Sequence, residues 1–194
     1  MENEKNQKII SYLTFKLGDE LFASNVGKVL NILELTRITK VPKAPAYMKG
    51  VINLRGDVLP VIDTRLKFGM EETQFTTSTC ILVLIIEFEG ETIHLGALVD
   101  SVQEVLEIED HEILKPPSIG SSYRSDFILG VVQHDDNFIM LLDVEKVFTG
   151  EELKELKEND KLGVKDIVET DIVEIKGDDN SPSQKNKKEK KSSK

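Results

Sequence analysis

Polar and apolar residues alternate in short runs through most of the first 150 positions. Ser11 to Leu17 reads as one extended stretch, followed by a turn at Gly18-Asp19 and a second stretch from Glu20 to Ala23. Cys80 to Phe88 is also extended, followed by the turn Glu89-Gly90-Glu91 and the run Thr92 to Val99. Short turns between β-prone runs predict hairpins. Val26, Val29, Ile32 and Leu33 continue the first segment; Val99, Val102, Val105 and Ile108 continue the second. Pro42 and Pro45, then Pro116 and Pro117, close the two segments and favour extended linker there.

The pattern occurs twice. Lys49 to Phe68 (KGVINLRGDVLPVIDTRLKF) aligns without a gap on Leu129 to Phe148 (LGVVQHDDNFIMLLDVEKVF). Gly50 falls on Gly130, Asp63 on Asp143 and Phe68 on Phe148, while Ile52, Leu59 and Val61 fall on Val132, Ile139 and Leu141. Each copy reads as about five short strands in ~70 residues, the pattern of a small antiparallel barrel. Asp63 and Asp143 each follow a strand and are placed to N-cap a helical turn. One such module buries too little surface to be stable alone, so two copies sharing a core are expected, with a groove between them for a partner. The fold class is therefore mainly all-β.

After Gly150 the pattern changes. Glu151 to Lys157 is helix-prone, with acids first and lysines interleaved. Val164, Ile167, Val168, Ile172 and Ile175 recur at roughly helical spacing, suited either to docking or to a loosely attached extension. Residues 151–176 are read as a helix-prone extension and 177–194 as a disordered, Lys-rich tail. Its lysines suit either an anionic membrane surface or plain solvation.

Charge narrows the partners. Residues 1–150 carry 14 Lys and Arg against 23 Asp and Glu. An acidic body repels phosphate backbones, so nucleic acid is not the expected partner. No apolar run reaches the ~20 residues of a membrane span, and the N-terminus has no apolar core for a secretion signal. With a single cysteine there is no internal disulfide framework, and a reduced, cytoplasmic setting is expected.

Motifs for chemistry are missing. Cys80 sits in an apolar run and reads as a small core residue. His94, His111 and His134 lie far apart and in no metal-ligand spacing. No phosphate-binding loop, dinucleotide fingerprint, zinc-protease motif or nucleophile elbow occurs. No cofactor, metal or catalytic residue is assigned, and the protein is expected not to be an enzyme. Arg55 stands opposite Asp135 in the repeat, so the copies differ in charge at one turn. Arginine there is either solvated or a multidentate interface contact.

Val29, Asn31 and the run Ala44-Pro45-Ala46-Tyr47-Met48-Lys49-Gly50-Val51-Ile52-Asn53-Leu54-Arg55-Gly56, followed by Leu59-Pro60-Val61-Ile62-Asp63, resemble the CheW family of bacterial chemotaxis coupling proteins. The resemblance covers about residues 9–150. It implies two five-stranded, SH3-like barrels around a shared hydrophobic core, roughly residues 9–75 and 76–150, with strands exchanged between them as an option. It implies an adaptor that ties the cytoplasmic tips of chemoreceptors to the histidine kinase CheA. It also implies recruitment to receptor arrays at the inner face of the membrane, without insertion into it. The matching receptor-contact positions are Val29, Asn31, Gly50, Asn53 and Arg55; Asn31 departs from the acid that many members carry. No residue is assigned to the kinase. An array scaffold that binds receptors without kinase coupling is the alternative. A receiver fusion and a kinase fragment are set aside on length, and an enzyme with an unrecognised site is the reading from another class.

Overall fold

The computed structural model describes residues 8–115 and 126–161. Ten strands carry it: β1 (Ile9–Leu17), β2 (Glu20–Asn25), β3 (Val29–Glu34), β4 (Met48–Leu54), β5 (Asp57–Asp63), β6 (Cys80–Phe88), β7 (Glu91–Val99), β8 (Ser101–Glu109), β9 (Ile128–His134) and β10 (Asn137–Leu142). Two α-helices accompany them, α1 (Thr64–Lys67) and α2 (Gly150–Lys161), with 3-10 turns at Val26–Lys28 and Asp110–Glu112. The mainly-β expectation holds, with two five-stranded sheets.

The sheets do not follow the halves 9–75 and 76–150. One sheet has the order β8-β1-β2-β10-β9 and the other β3-β6-β7-β5-β4. Each copy thus keeps three strands and lends its first hairpin to the other. The hairpins β1–β2, β4–β5, β6–β7 and β9–β10 are antiparallel, while β2 meets β10 and β5 meets β7 in parallel. Parallel neighbours need a long crossover, and both parallel joins are made between strands of different halves. By strand pairing the sheets are open. Thr39 on the linker after β3 bridges to Val51 of β4, and Leu114 bridges to Val131 in the second copy.

The copies also differ in detail. The ladder between β10 and β2 starts at Ile139, but that between β5 and β7 starts only at Val61. Pro60 stands where the second copy has Met140 and has no N–H to give a ladder. Asp63 caps α1 through Leu66 N, as expected. Asp143 instead closes a hydrogen-bonded turn, Lys146 N to Asp143 O at 3.0 Å, rather than a helix.

The shared core lies along the seam. Leu13, Phe15, Leu17 and Phe22 from β1 and β2 pack with Leu82, Leu84, Ala97 and Val99 from β6 and β7. Phe68 joins the halves, stacking on Phe127 with centroids 5.1 Å apart. Full burial of each such side chain is worth about 1.5–3 kcal/mol. Separate clusters fill each sheet, around Ile139 and Leu141 in one and Val61, Ile81 and Leu98 in the other.

The start of the C-terminal extension docks. Leu153 and Leu156 of α2 are buried against Ile62, Ile86, Leu95 and Phe148. Thr149 and Glu152 form a capping box, with Thr149 N giving to Glu152 Oε2 at 2.7 Å and Glu152 N to Thr149 Oγ1 at 3.2 Å. Lys67 pairs with Glu152 and lies over the Tyr47 and Phe148 rings, at 4.5 and 5.0 Å. The apolar positions from Val164 to Ile175 and the Lys-rich tail, like Pro116 and Pro117, lie outside the described residues.

Candidate functional site

The β4–β5 hairpin closes through two residues, Arg55 and Gly56, with φ of +58° and +100°. Two consecutive positive φ values mark a type I′ turn, which suits the right-handed twist of a hairpin. Asn53 organises the turn: its Oδ1 accepts from Gly56 N at 2.9 Å. Arginine is a poor choice for a left-handed position and costs about 1–2 kcal/mol there. Its counterpart Asp135 has φ +52° but is of a type that tolerates this region. Arg55 is exposed and makes no ion pair among the described residues. Glu89 and Gly90 close the β6–β7 hairpin in the same way, with φ of +51° and +79°.

Gly50 serves the fold. It is buried at φ +146°, and a Cβ there would lie 2.1 Å from the Thr39 carbonyl oxygen. This close approach lets Thr39 and Val51 exchange hydrogen bonds, Thr39 N to Val51 O at 2.9 Å and Val51 N to Thr39 O at 2.8 Å. Gly130 repeats the arrangement against Ile113 and Leu114.

Val29 and Asn31 lie on β3, the opposite edge of the same sheet from β4. Strand pairing therefore groups Gly50, Asn53 and Arg55 on one hairpin and leaves Val29 and Asn31 apart from them. Both edges nevertheless reach one interior: Leu33, Leu35 and Ile38, from β3 and the linker after it, pack with Leu54 of β4 on the same cluster. Val29 is half-buried against the seam. Asn31 is exposed, sits beside a register shift and accepts from Ile32 N at 2.9 Å.

Sequence reasoning missed the neighbours of Asn31. Leu30 is 54 % exposed and Ile32 45 % exposed on this unpaired edge, and Val26 is exposed just before it. The sequence shows only apolar positions continuing the first segment, and the edge position that bares Leu30 and Ile32 is set by long-range pairing. Ile32 to Leu35 form one wall of a groove of about 580 Å³, with Thr76 to Thr79 and Cys80 as the other. A second cleft, of about 240 Å³, begins beside the Arg55 turn, lined by Leu54, Val58, Pro60, His94 and Leu156. It lies where β5 and β7 separate ahead of Val61.

The chemistry of these surfaces is that of contact. Burial pushes the Cys80 thiol up, and a hydrogen bond with the Val102 backbone only partly opposes this, so it is no activated nucleophile. His111 and His134 lie near carboxylates, His111 Nδ1 being 3.1 Å from Glu109. Among the described residues no group of three potential ligands could hold a metal ion.

The family model described as a CheW-like domain matches residues 11–152. The chemotaxis protein CheW of Rhizobium meliloti is 36 % identical over 140 residues, covering 72 % of this chain and 88 % of that protein. The chemotaxis protein CheW of Treponema pallidum is 27 % identical over 151 residues, covering 78 % and 89 %. The crystal structure of the scaffolding protein TtCheW from Thermoanaerobacter tengcongensis superposes with a TM-score of 0.67 at 28 % identity, covering 79 % of this chain and 98 % of that one.

Proposed function

The chain belongs to the CheW family of chemotaxis coupling adaptors, and from that premise we propose that it ties the cytoplasmic tips of chemoreceptors to the histidine kinase CheA. The observation that carries this reading is the Arg55 turn, where a strained, exposed arginine is presented by a rigid hairpin. The bare edge of β3 supports it. A helical receptor tip would lay apolar side chains against Leu30 and Ile32, beside Val29 and Asn31. Arg55 would add charge-assisted hydrogen bonds that fix its orientation. Asn53 acts through the turn, and Gly50 through the bridge to Thr39, so both support the surface from within.

On this reading the protein performs no catalysis and needs no cofactor. It transmits receptor state by holding geometry, so that the kinase's balance between states can shift. It works in the cytoplasm, recruited to receptor arrays at the inner face of the membrane. No described helix is long and apolar enough to cross a membrane.

Arg55→Glu tests the assignment. Binding of a purified receptor fragment should weaken at least tenfold with the melting temperature unchanged. Unchanged binding would remove Arg55 from the interface. An array scaffold without kinase coupling predicts no saturable binding of the isolated CheA regulatory domain and no receptor-dependent stimulation of autophosphorylation.

A further inference from the structure

We propose that the surface along which the two halves of the chain meet is also an interaction surface for a second copy of the chain, formed by exchange of halves. The linker between the halves decides which form prevails. Among the described residues, every pairing between named strands apart from the four hairpins joins one half to the other: β1 to β8, β2 to β10, β3 to β6 and β5 to β7. A half on its own holds hairpins but no sheet. Its partner surface is therefore specific, and nothing in it requires both halves to come from one chain.

Charge selects unlike halves. Lys28 pairs with Glu145 at 2.6 Å, and Arg65 with Asp100 at 3.4 Å. Both pairs cross the seam, and the 80-residue register places Glu145 on Arg65. The first half thus offers cations where the second offers acids. Two first halves brought together would set Lys28 against Arg65, so the fitting partner is the second half of another copy. Two chains exchanging both halves close into a dimer in which every seam contact is reproduced.

Residues 69–79 are the covalent link. They are pinned by Asp63, whose side chain is fully buried and accepts from Thr73 N at 3.1 Å and Thr73 Oγ1 at 2.8 Å. Lys49 strengthens the pin, lying 3.4 Å from Asp63, paired with Glu72 and placed over the Phe75 ring. A flexible link of this length would give an effective concentration of about a millimolar, and the pin holds it higher, so at about 10 μM fewer than roughly one chain in a hundred is exchanged. Freed and extended, the link spans up to ~35 Å, enough to reach a second copy. Shortening it removes the intramolecular route and leaves the other.

The test uses the β1–β8 register, in which Lys16 faces Ser101. One copy carries Lys16→Cys and another Ser101→Cys, both with Cys80→Ser, and they are mixed, refolded from urea and oxidised. With residues 74–78 deleted, the mixture is expected to yield a covalent dimer with a dimer's mass by light scattering. The full-length mixture should give at least about a hundredfold less. The single chain with both cysteines should close internally, which checks the register. A monomeric shortened chain, or one that yields no mixed disulfide, overturns the proposal. If the deletion prevents folding, Thr73→Val in the full-length chain decides. A severalfold rise in mixed disulfide at several hundred μM supports exchange, and no rise overturns it.

Discussion

Replacing Gly50 with alanine puts a methyl carbon 2.1 Å from the Thr39 carbonyl oxygen and 2.8 Å from Ile38 Cγ2. The backbone at φ +146° adds strain of about 1–3 kcal/mol for any L side chain. Moving Thr39 aside breaks the two hydrogen bonds it exchanges with Val51, at about 1 kcal/mol each. The expected loss is about 3–5 kcal/mol, a large share of the stability of a typical domain. At about 2–4 °C per kcal/mol, the melting temperature should fall by roughly 6–20 °C. Gly130→Ala is the internal control. Its Cβ meets Ile113 Cγ2 at 2.3 Å and the Leu114 oxygen at 2.7 Å, without a positive φ. Its loss should be smaller, about 2–3 kcal/mol, because the strain contribution is absent. Urea unfolding of both variants and of the parent, with unchanged m, measures these differences. Should Gly50→Ala melt within 2 °C of the parent yet lose receptor binding, Gly50 is a contact residue and the bridge argument is wrong.

Glu152 yields a pH dependence. Burial works to raise its pKa, but hydrogen bonds from Lys67, the Thr149 backbone and Tyr47, with the Lys67 charge, outweigh it and hold the group down at about 2. A depressed carboxylate contributes fully above its unfolded value of 4.5 and loses that contribution as pH falls toward 2. Melting curves between pH 5 and 2.5 should show this loss, and Glu152→Gln should flatten it while lowering stability at pH 7. Arg55→Asn should raise the melting temperature by a few degrees, since asparagine tolerates the left-handed turn, while weakening receptor binding. A lowered melting temperature would show that the turn carries no strain. Leu153→Ala should cost about 2–4 kcal/mol by emptying the α2 contact with Ile86 and Leu95, read by urea unfolding. A loss under 1 kcal/mol would mean that α2 is not anchored there.

The candidate site was legible in part. The Arg55–Gly56 turn shows in the sequence because hairpin turns obey local backbone rules, and the Gly50 and Gly130 match pointed to a constraint without revealing its nature. A glycine selected by a clash with Thr39, eleven residues upstream, looks the same in sequence as one selected for a partner. Leu30 and Ile32 were not legible as surface, because alternation sets which side chains share a face and not whether a strand ends a sheet. Docking of α2 lay between: its helix-prone run of acids and lysines was visible, but the surface under Leu153 and Leu156 is assembled from Ile62, Ile86 and Leu95, distant in sequence.

By itself the sequence determined the strands, most of the tight turns, the 80-residue duplication and the mainly-β class, since period-2 patterning and turn chemistry act within a few residues. The assortment of hairpins into sheets was settled only in three dimensions. Both copies carry the same alternation, so pairing within a half and pairing across halves satisfy the same local pattern. The exchange is set by contacts that span the chain: the seam of Phe15, Phe22, Leu82 and Leu84, the parallel joins of β2 to β10 and β5 to β7, and the opposed charges of Lys28–Glu145 and Arg65–Asp100. These depend on which surfaces meet, which no local window of sequence contains.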